Sequence, residues 1–179
     1  MTSKTYSIRR RGRWAYAAVC LLAAPTIQAN AQQAREAFVT NQLGDSLSVV
    51  DLAAGKAVAE IKIGGKPAGI ALSPDGSRAY LAAPEGKEVV VVDTAARAVV
   101  ARWPVGQGPL GIAVNPKSGL IYVADWYEHV LMQVDPLSGS ITGKVQVGDS
   151  PSGVGVTRDG ALILTADRDS NQVSIIDAM

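Results

Sequence analysis

The chain has 179 residues, of which 47% are hydrophobic and 18% are charged. This composition supports a packed core and excludes a chain that is disordered throughout. Without the first 31 residues, which have the features of an export signal described next, 12 Lys and Arg stand against 16 Asp and Glu. The resulting net charge of −4 disfavours nucleic acid as a partner, because phosphate binding usually requires a basic face.

The first 31 residues have the three parts of a signal peptide. An apolar stretch at 14–24 follows a basic segment, and Ala29-Asn30-Ala31 has the small residues of a cleavage site. Pro25 interrupts the apolar stretch well short of the roughly 20 residues that cross a bilayer. We therefore predict a signal peptide at 1–31 and a periplasmic or secreted chain at 32–179 that keeps no transmembrane anchor. The basic segment contains Lys4, Arg9, Arg10, Arg11 and Arg13.

Beyond the signal, three classes of residue recur at an interval of 42 residues. The first class is an aspartate that ends an apolar run, the second is a proline after a glycine-rich turn, and the third is an aromatic or large apolar residue. The series are Asp51, Asp93, Asp135 and Asp177; Pro67, Pro109 and Pro151; and Phe38, Tyr80, Tyr122 and Leu164. A period of about forty residues is typical of stacked repeat units.

Each period contains four short strand patterns separated by turn residues. In the second copy these patterns lie at 69–72, 79–82, 89–93 and 98–105. The third pattern is apolar on both faces, so neighbouring sheets must cover it on each side. We predict an all-β fold, a β-propeller of four-stranded blades with a 42-residue repeat, in preference to a sandwich or a barrel.

The repeats resemble those of the YVTN-type β-propeller proteins. The segment that gives the family its name stands here as Phe38-Val39-Thr40-Asn41, and Tyr122-Val123-Ala124-Asp125 is a later copy. The resemblance covers residues 37–179. It implies that the first strand of each blade lies innermost, and its relatives include surface proteins, periplasmic proteins linked to quinoprotein catabolism, and propellers embedded in enzymes.

Fourteen strands are expected, which amounts to about 3.5 blades and an incomplete ring. The chain would begin on the second strand of one blade and end on the third strand of another. Closed rings need about four to eight blades, so two copies could combine or the chain could be a truncated product. In either case an open blade face would be apolar, and self-association through it is expected.

One loop differs from its counterparts in the other copies. Asp125, Trp126, Tyr127, Glu128 and His129 stand where the previous copy has the plain sequence of residues 83–87. Exposed aromatic residues beside acids suit a small polar molecule or a protein partner. The alternative is that the aromatic residues pack against a neighbouring blade. We take this loop, together with Asp167 and Arg168 in the next copy, as the candidate site for a ligand or partner.

Other candidate chemistry is weaker. Residues 106–111 fit the pattern G-x-G-x-x-G, but a strand rather than a helix follows, so we interpret them as a turn between blades. Asn41, Asp125 and Asp167 share a repeat position and could supply oxygen ligands to Ca²⁺, although such residues more often cap turns. His129 is the single histidine and Cys20 the single cysteine. We predict no catalytic residue, no metal and no cofactor.

These observations lead to two functional hypotheses. The first is a noncatalytic exported propeller that binds a small molecule or a protein, in association with quinoprotein-dependent catabolism as the resemblance implies. The second is a fragment of a propeller enzyme, lactonase-like or lyase-like. Enzymes of the second kind gather metal-binding acids or histidines near the axis, and this sequence has one histidine to offer.

Overall fold

The computed structural model describes residues 35–178, and the predicted signal peptide lies outside them. Within this range the chain forms four antiparallel sheets and no helix. Within every sheet, each strand is hydrogen-bonded to the strands that precede and follow it in the chain. The four sheets, called blades one to four here, contain β1 (Glu36–Asn41), β2 (Ser46–Asp51) and β3 (Lys56–Lys62); β4 (Ile70–Leu72), β5 (Arg78–Ala83), β6 (Glu88–Asp93) and β7 (Ala98–Pro104); β8 (Pro109–Val114), β9 (Ile121–Asp125), β10 (Val130–Val134) and β11 (Ile141–Gln146); and β12 (Pro151–Val156), β13 (Leu162–Asp167) and β14 (Gln172–Asp177).

The predicted fold class is confirmed: the described chain is an all-β array of propeller blades that does not close into a ring. The first and last blades have three strands each and the middle two have four, as the repeat predicted. The strands of blade two agree with the sequence prediction to within one residue at each end. Among residues 35–178 no helix has the length and hydropathy to cross a membrane.

The turn between the first two strands of blade two shows how the repeat makes a hairpin. Gly76 has a φ of 72°, which few side chains tolerate, and its N–H donates to the Ser73 carbonyl oxygen at 2.9 Å. The Asp75 carboxylate accepts hydrogen bonds from the Ser73 hydroxyl and from the N–H and hydroxyl of Ser77. The hydrogen bond from Ser73 has the largest effect on the pKa of Asp75, and together with the bonds from Ser77 it lowers this pKa to about 2. A charged aspartate therefore holds this turn at neutral pH.

The repeating aspartates that end the third strands cap the turns that follow them. Asp135 Oδ1 accepts the N–H groups of Leu137 and Ser138 at 2.9 and 2.8 Å. These backbone bonds, that from Ser138 first, lower the pKa of the Asp135 carboxyl. Asp51 and Asp93 make equivalent bonds in blades one and two. Their regular spacing thus reflects a need of each blade.

The core lies between the blades. In β6 the side chains of Val89 and Val91 pack toward blade three, whereas those of Val90 and Val92 pack toward blade one. All four are at most 3% exposed, so the strand is covered on both faces as its unbroken apolar sequence predicted. A third cluster, which contains Ile163, joins blades three and four.

The first strands of successive blades lie side by side, so that β4 contacts β8 and β8 contacts β12. The N–H of Gly69 donates to the Leu110 carbonyl oxygen of the next blade at 3.2 Å. A Cβ atom on Gly111 would lie 2.7 Å from the Ser152 carbonyl oxygen, and one on Gly69 would collide with that of Leu110. Glycine at this repeat position therefore permits the close approach of the inner strands, which brings the loops of all four blades together at one end.

Candidate functional site

The connections between blades and the turns between second and third strands meet on one surface, which we call the loop face. It consists of the turns 42–45, 84–87, 126–129 and 168–171 and the connections 63–69, 105–108 and 147–150. Backbone hydrogen bonds join each turn to the connection beside it. In blade three, for example, the Trp126 N–H donates to the Gly108 carbonyl oxygen at 2.9 Å.

The loop face contains a cavity of about 300 Å³ to which all four blades contribute. One repeat position, the residue directly after the second strand, lines it four times. The residues at this position are Gln42, Pro84, Trp126 and Arg168. Their side chains are an amide, a pyrrolidine ring, an indole and a guanidinium, so a symmetric scaffold presents an asymmetric site.

Asp125 does not line the cavity but holds two residues that do, Gly108 and Tyr127. Its side chain is fully buried. Oδ2 accepts the N–H groups of Gln107 and Gly108 at 2.6 and 2.9 Å, and Oδ1 accepts those of Tyr127 and Glu128 at 2.9 Å each. The carboxylate thereby ties the connection between blades two and three to the candidate loop. The sequence allowed either turn capping or Ca²⁺ binding at Asp125, and these four bonds show that Asp125 caps the turn.

Asp167, at the same repeat position in blade four, is also buried. Its Oδ2 accepts the hydroxyl of Ser174 at 2.6 Å and the N–H of Gly148 at 3.1 Å. Its Oδ1 accepts the hydroxyl of Thr165 at 2.7 Å. Asp167 thus supports the backbone from which Arg168 projects and does not line the cavity.

Trp126 and Arg168 meet at the cavity wall. The guanidinium carbon of Arg168 lies 5.4 Å from the centroid of the Trp126 ring, within the range of a cation–π contact. The Arg168 side chain is 71% exposed, and its one ion pair among residues 35–178 is a long one of 4.0 Å to Asp169. The aromatic residue therefore packs against a side chain of the next blade and lines the cavity at the same time.

Tyr127 stands beside this pair and is 69% exposed. The edge of its ring lies over Gly108, where a Cβ atom would come within 2.8 Å of Tyr127 Cε2. A glycine at position 108 thus leaves room for the Tyr127 ring, which also lines the cavity.

Glu128 and His129, also predicted as candidate contacts, do not line the cavity. Glu128 Oε2 is 3.1 Å from Lys144 Nζ on the outer strand of the same blade. His129 has a φ of 57°, and its Nδ1 accepts the Ser150 N–H at 2.9 Å. That bond joins the turn to the connection between blades three and four. Of the seven predicted contact residues, the cavity brings together Trp126, Tyr127 and Arg168.

Six of the nine residues that line the cavity were not predicted from the sequence: Gln42, Lys66, Pro84, Glu85, Gly108 and Leu110. Lys66 Nζ is 2.9 Å from Asp45 Oδ2, and the Lys66 N–H donates to Asp45 Oδ1. Hydrogen bonding to Asp45 raises the pKa of Lys66, with smaller contributions from the charges of Asp45 and Glu85. The same side-chain bond lowers the pKa of Asp45. One signal was available, because Glu85 precedes Tyr127 by one repeat.

Two further features of the sequence can be placed. Residues 106–108 form the turn between blades two and three, and the strand Pro109–Val114 follows, so the glycine pattern does not open a helix. In the part of the chain that the structure describes, no three His, Cys, Asp or Glu side chains are grouped to hold a metal ion.

Comparison with known proteins supports the repeat architecture. The NHL repeat family matches residues 107–134, which extend from the connection before β8 to the end of β10. No curated protein sequence matches the chain. Hydrazine synthase of Kuenenia stuttgartiensis is similar in structure, with a TM-score of 0.74 and 26% sequence identity over 80% of this chain.

A Bacteroides uniformis protein provisionally assigned as a 6-phosphogluconolactonase superposes with a TM-score of 0.67 over 80% of this chain. At 19% identity this likeness concerns the fold alone. The chain spans 43% of the length of the hydrazine synthase chain and 47% of the length of the Bacteroides chain. The chain is a β-propeller repeat protein, and the activities in those two names belong to those proteins.

Proposed function

We propose that this chain is an exported β-propeller of the YVTN type that acts as a noncatalytic binding module, with a small-molecule site in the loop-face cavity. The observation that carries the proposal is the cation–π pair of Trp126 and Arg168 beside the exposed ring of Tyr127. A concave site of a few hundred Å³ that combines aromatic walls with a few charged groups is typical of small-molecule binding.

The acidic and basic groups of the candidate loop support a role without catalysis. Asp125 is saturated by four backbone N–H groups, Glu128 pairs with Lys144, and Nδ1 of His129 accepts a backbone N–H. A general acid or base must reach the proton that it transfers. These groups are instead engaged in holding the loop.

We also propose that the chain is exported and that it is associated with quinoprotein-dependent catabolism, and both proposals rest on the sequence. The basic and apolar segments before Ala31 support export to the periplasm or beyond. Association with quinoprotein-dependent catabolism rests on the resemblance to YVTN-type proteins alone. The binding site is proposed independently of both.

We expect purified protein to retain a small molecule from a cell extract, and the Trp126→Ala variant to bind that molecule about 2- to 30-fold more weakly, because aromatic and cation–π contacts contribute about 0.5–2 kcal/mol. Equilibrium dialysis followed by mass spectrometry measures this. Leu137→Ala is the matched control, since this exposed side chain lies on the turn between β10 and β11, away from the cavity.

Recovery of the retained compound in unchanged form would agree with a binding module. Its conversion to a new product, or the opening of added lactones by the purified protein, would refute the noncatalytic role and favour the propeller enzyme. Equal retention by Trp126→Ala and the unmodified protein would place the site elsewhere.

A further inference from the structure

The loop-face cavity carries opposite charges on its two sides. Blade four supplies Arg168 and blade two supplies Glu85, while the aromatic residues of blade three lie between them. We propose that the ligand is a small zwitterion of amino-acid type, whose carboxylate binds Arg168 and whose ammonium group binds Glu85. This inference rests on the proposed function and specifies the ligand of the same site.

Arg168 has the properties of a carboxylate anchor. Its guanidinium makes no hydrogen bond to any residue between 35 and 178, and its contact with Asp169 is long. The indole of Trp126, 5.4 Å from the guanidinium carbon, limits the positions that the guanidinium can take. A planar guanidinium held in this way matches the two oxygens of a carboxylate.

Glu85 is the counterpart on the other side. Its side chain is exposed and, within residues 35–178, forms neither a hydrogen bond nor an ion pair. The cation next to it, Lys66, is held by Asp45 through a bond of 2.9 Å. Because Asp45 already neutralises Lys66, this wall carries one uncompensated negative charge, which suits an ammonium group.

The space between these charges favours a short ligand with an apolar part. Tyr127 and Leu110 offer an aromatic and an aliphatic surface between the two charged side chains. The volume of about 300 Å³ lies at the lower end of the range for small-molecule sites, about 300–1,000 Å³. A molecule of amino-acid size fits this volume better than a large cofactor.

Calorimetric titration with three probes tests the assignment: L-phenylalanine, which has both charges; 3-phenylpropionate, which lacks the ammonium group; and 2-phenylethylamine, which lacks the carboxylate. L-phenylalanine is expected to bind most tightly. Arg168→Gln should weaken phenylalanine and phenylpropionate by about tenfold, and Glu85→Gln should weaken phenylalanine and phenylethylamine by a similar factor, as loss of a charged hydrogen bond predicts. Arg168→Gln should leave the affinity for 2-phenylethylamine unchanged, and Glu85→Gln should leave the affinity for 3-phenylpropionate unchanged.

Matched controls are available on other surfaces. Arg158 lies in the turn between β12 and β13, and Glu60 lies on the outer strand β3. Arg158→Gln and Glu60→Gln should bind all three probes as the unmodified protein does. Phenylalanine affinities in Arg168→Gln and Glu85→Gln that equal those of the controls would overturn the zwitterion assignment, as would tighter binding of a singly charged probe.

Failure of this inference can be distinguished from failure of the proposed function. If none of the three probes binds and the compound retained from extract through Trp126 lacks a carboxylate or an ammonium group, the zwitterion assignment is wrong and the binding module stands. If no probe binds and no compound is retained, both proposals are wrong.

Discussion

Replacement of Asp125 by alanine is expected to lower the free energy of unfolding by about 2–3 kcal/mol, since a buried N–H left without a partner costs about 1–3 kcal/mol and a partly buried one costs less. Four backbone N–H groups would lose their acceptor, two in the connection between blades two and three and two in the candidate loop. Urea denaturation of the variant and the unmodified protein measures the difference.

Asp149→Ala is the matched control for this substitution. Asp149 lies in the next connection between blades, and its side chain is 67% exposed. Removal of an exposed carboxylate should change stability by at most about 0.5 kcal/mol. Asp125→Asn should lie between the two, because one side-chain oxygen remains to accept hydrogen bonds. A stability of Asp125→Ala within error of Asp149→Ala would contradict the organising role of Asp125.

The second large effect is expected at the inner strands. Gly111→Ala should destabilise the protein by about 1–3 kcal/mol, the usual cost of an added group in a packed interior. Its new Cβ would lie 2.7 Å from the Ser152 carbonyl oxygen and 3.0 Å from Val154 Cγ2. Backbone of blade four would have to move to accommodate it. Thermal and urea unfolding of the variant check the prediction.

Gly155→Ala tests whether proximity between blades is the cause. Gly155 lies on β12, and a Cβ atom there would have no atom within 4 Å. This variant should unfold at nearly the same temperature and urea concentration as the unmodified protein, because surface substitutions usually change stability by at most about 0.5 kcal/mol. Equal destabilisation of both variants would mean that glycine serves the strands in some other way than by close approach.

Much of the fold could be predicted because the repeat makes the same physical demand in each copy. An unbroken run such as Val89 to Val92 has to be covered on both faces, and only neighbouring sheets satisfy that demand in every blade. A regularly spaced aspartate such as Asp135 caps a turn wherever the blade needs one. Periodicity therefore indicates structure reliably.

The candidate site could be predicted only in part, because it depends on where the repeats differ. The unusual sequence after Asp125 identified Trp126 and Tyr127. It did not show that the Asp125 carboxylate is buried and accepts backbone hydrogen bonds, since the counterpart of Asp125 in blade two is Ala83, which has no side-chain acceptor. The pairing of Asp45 with Lys66 joins residues on either side of a blade boundary. Such a contact is fixed by how the connections fold and not by the spacing of the residues.

The central claim, that a small ligand binds against Trp126 on the loop face, can be tested with fluorine-labelled tryptophan. The chain contains three tryptophans, of which Trp103 stacks with Tyr80 and lies outside the cavity lining. Phenylalanine variants of Trp103 and Trp126 assign the ¹⁹F resonances. With L-phenylalanine and with the compound retained from extract, the Trp126 resonance should shift on binding and that of Trp103 should stay in place. Calorimetric binding of either compound with no change at Trp126 would contradict the claim.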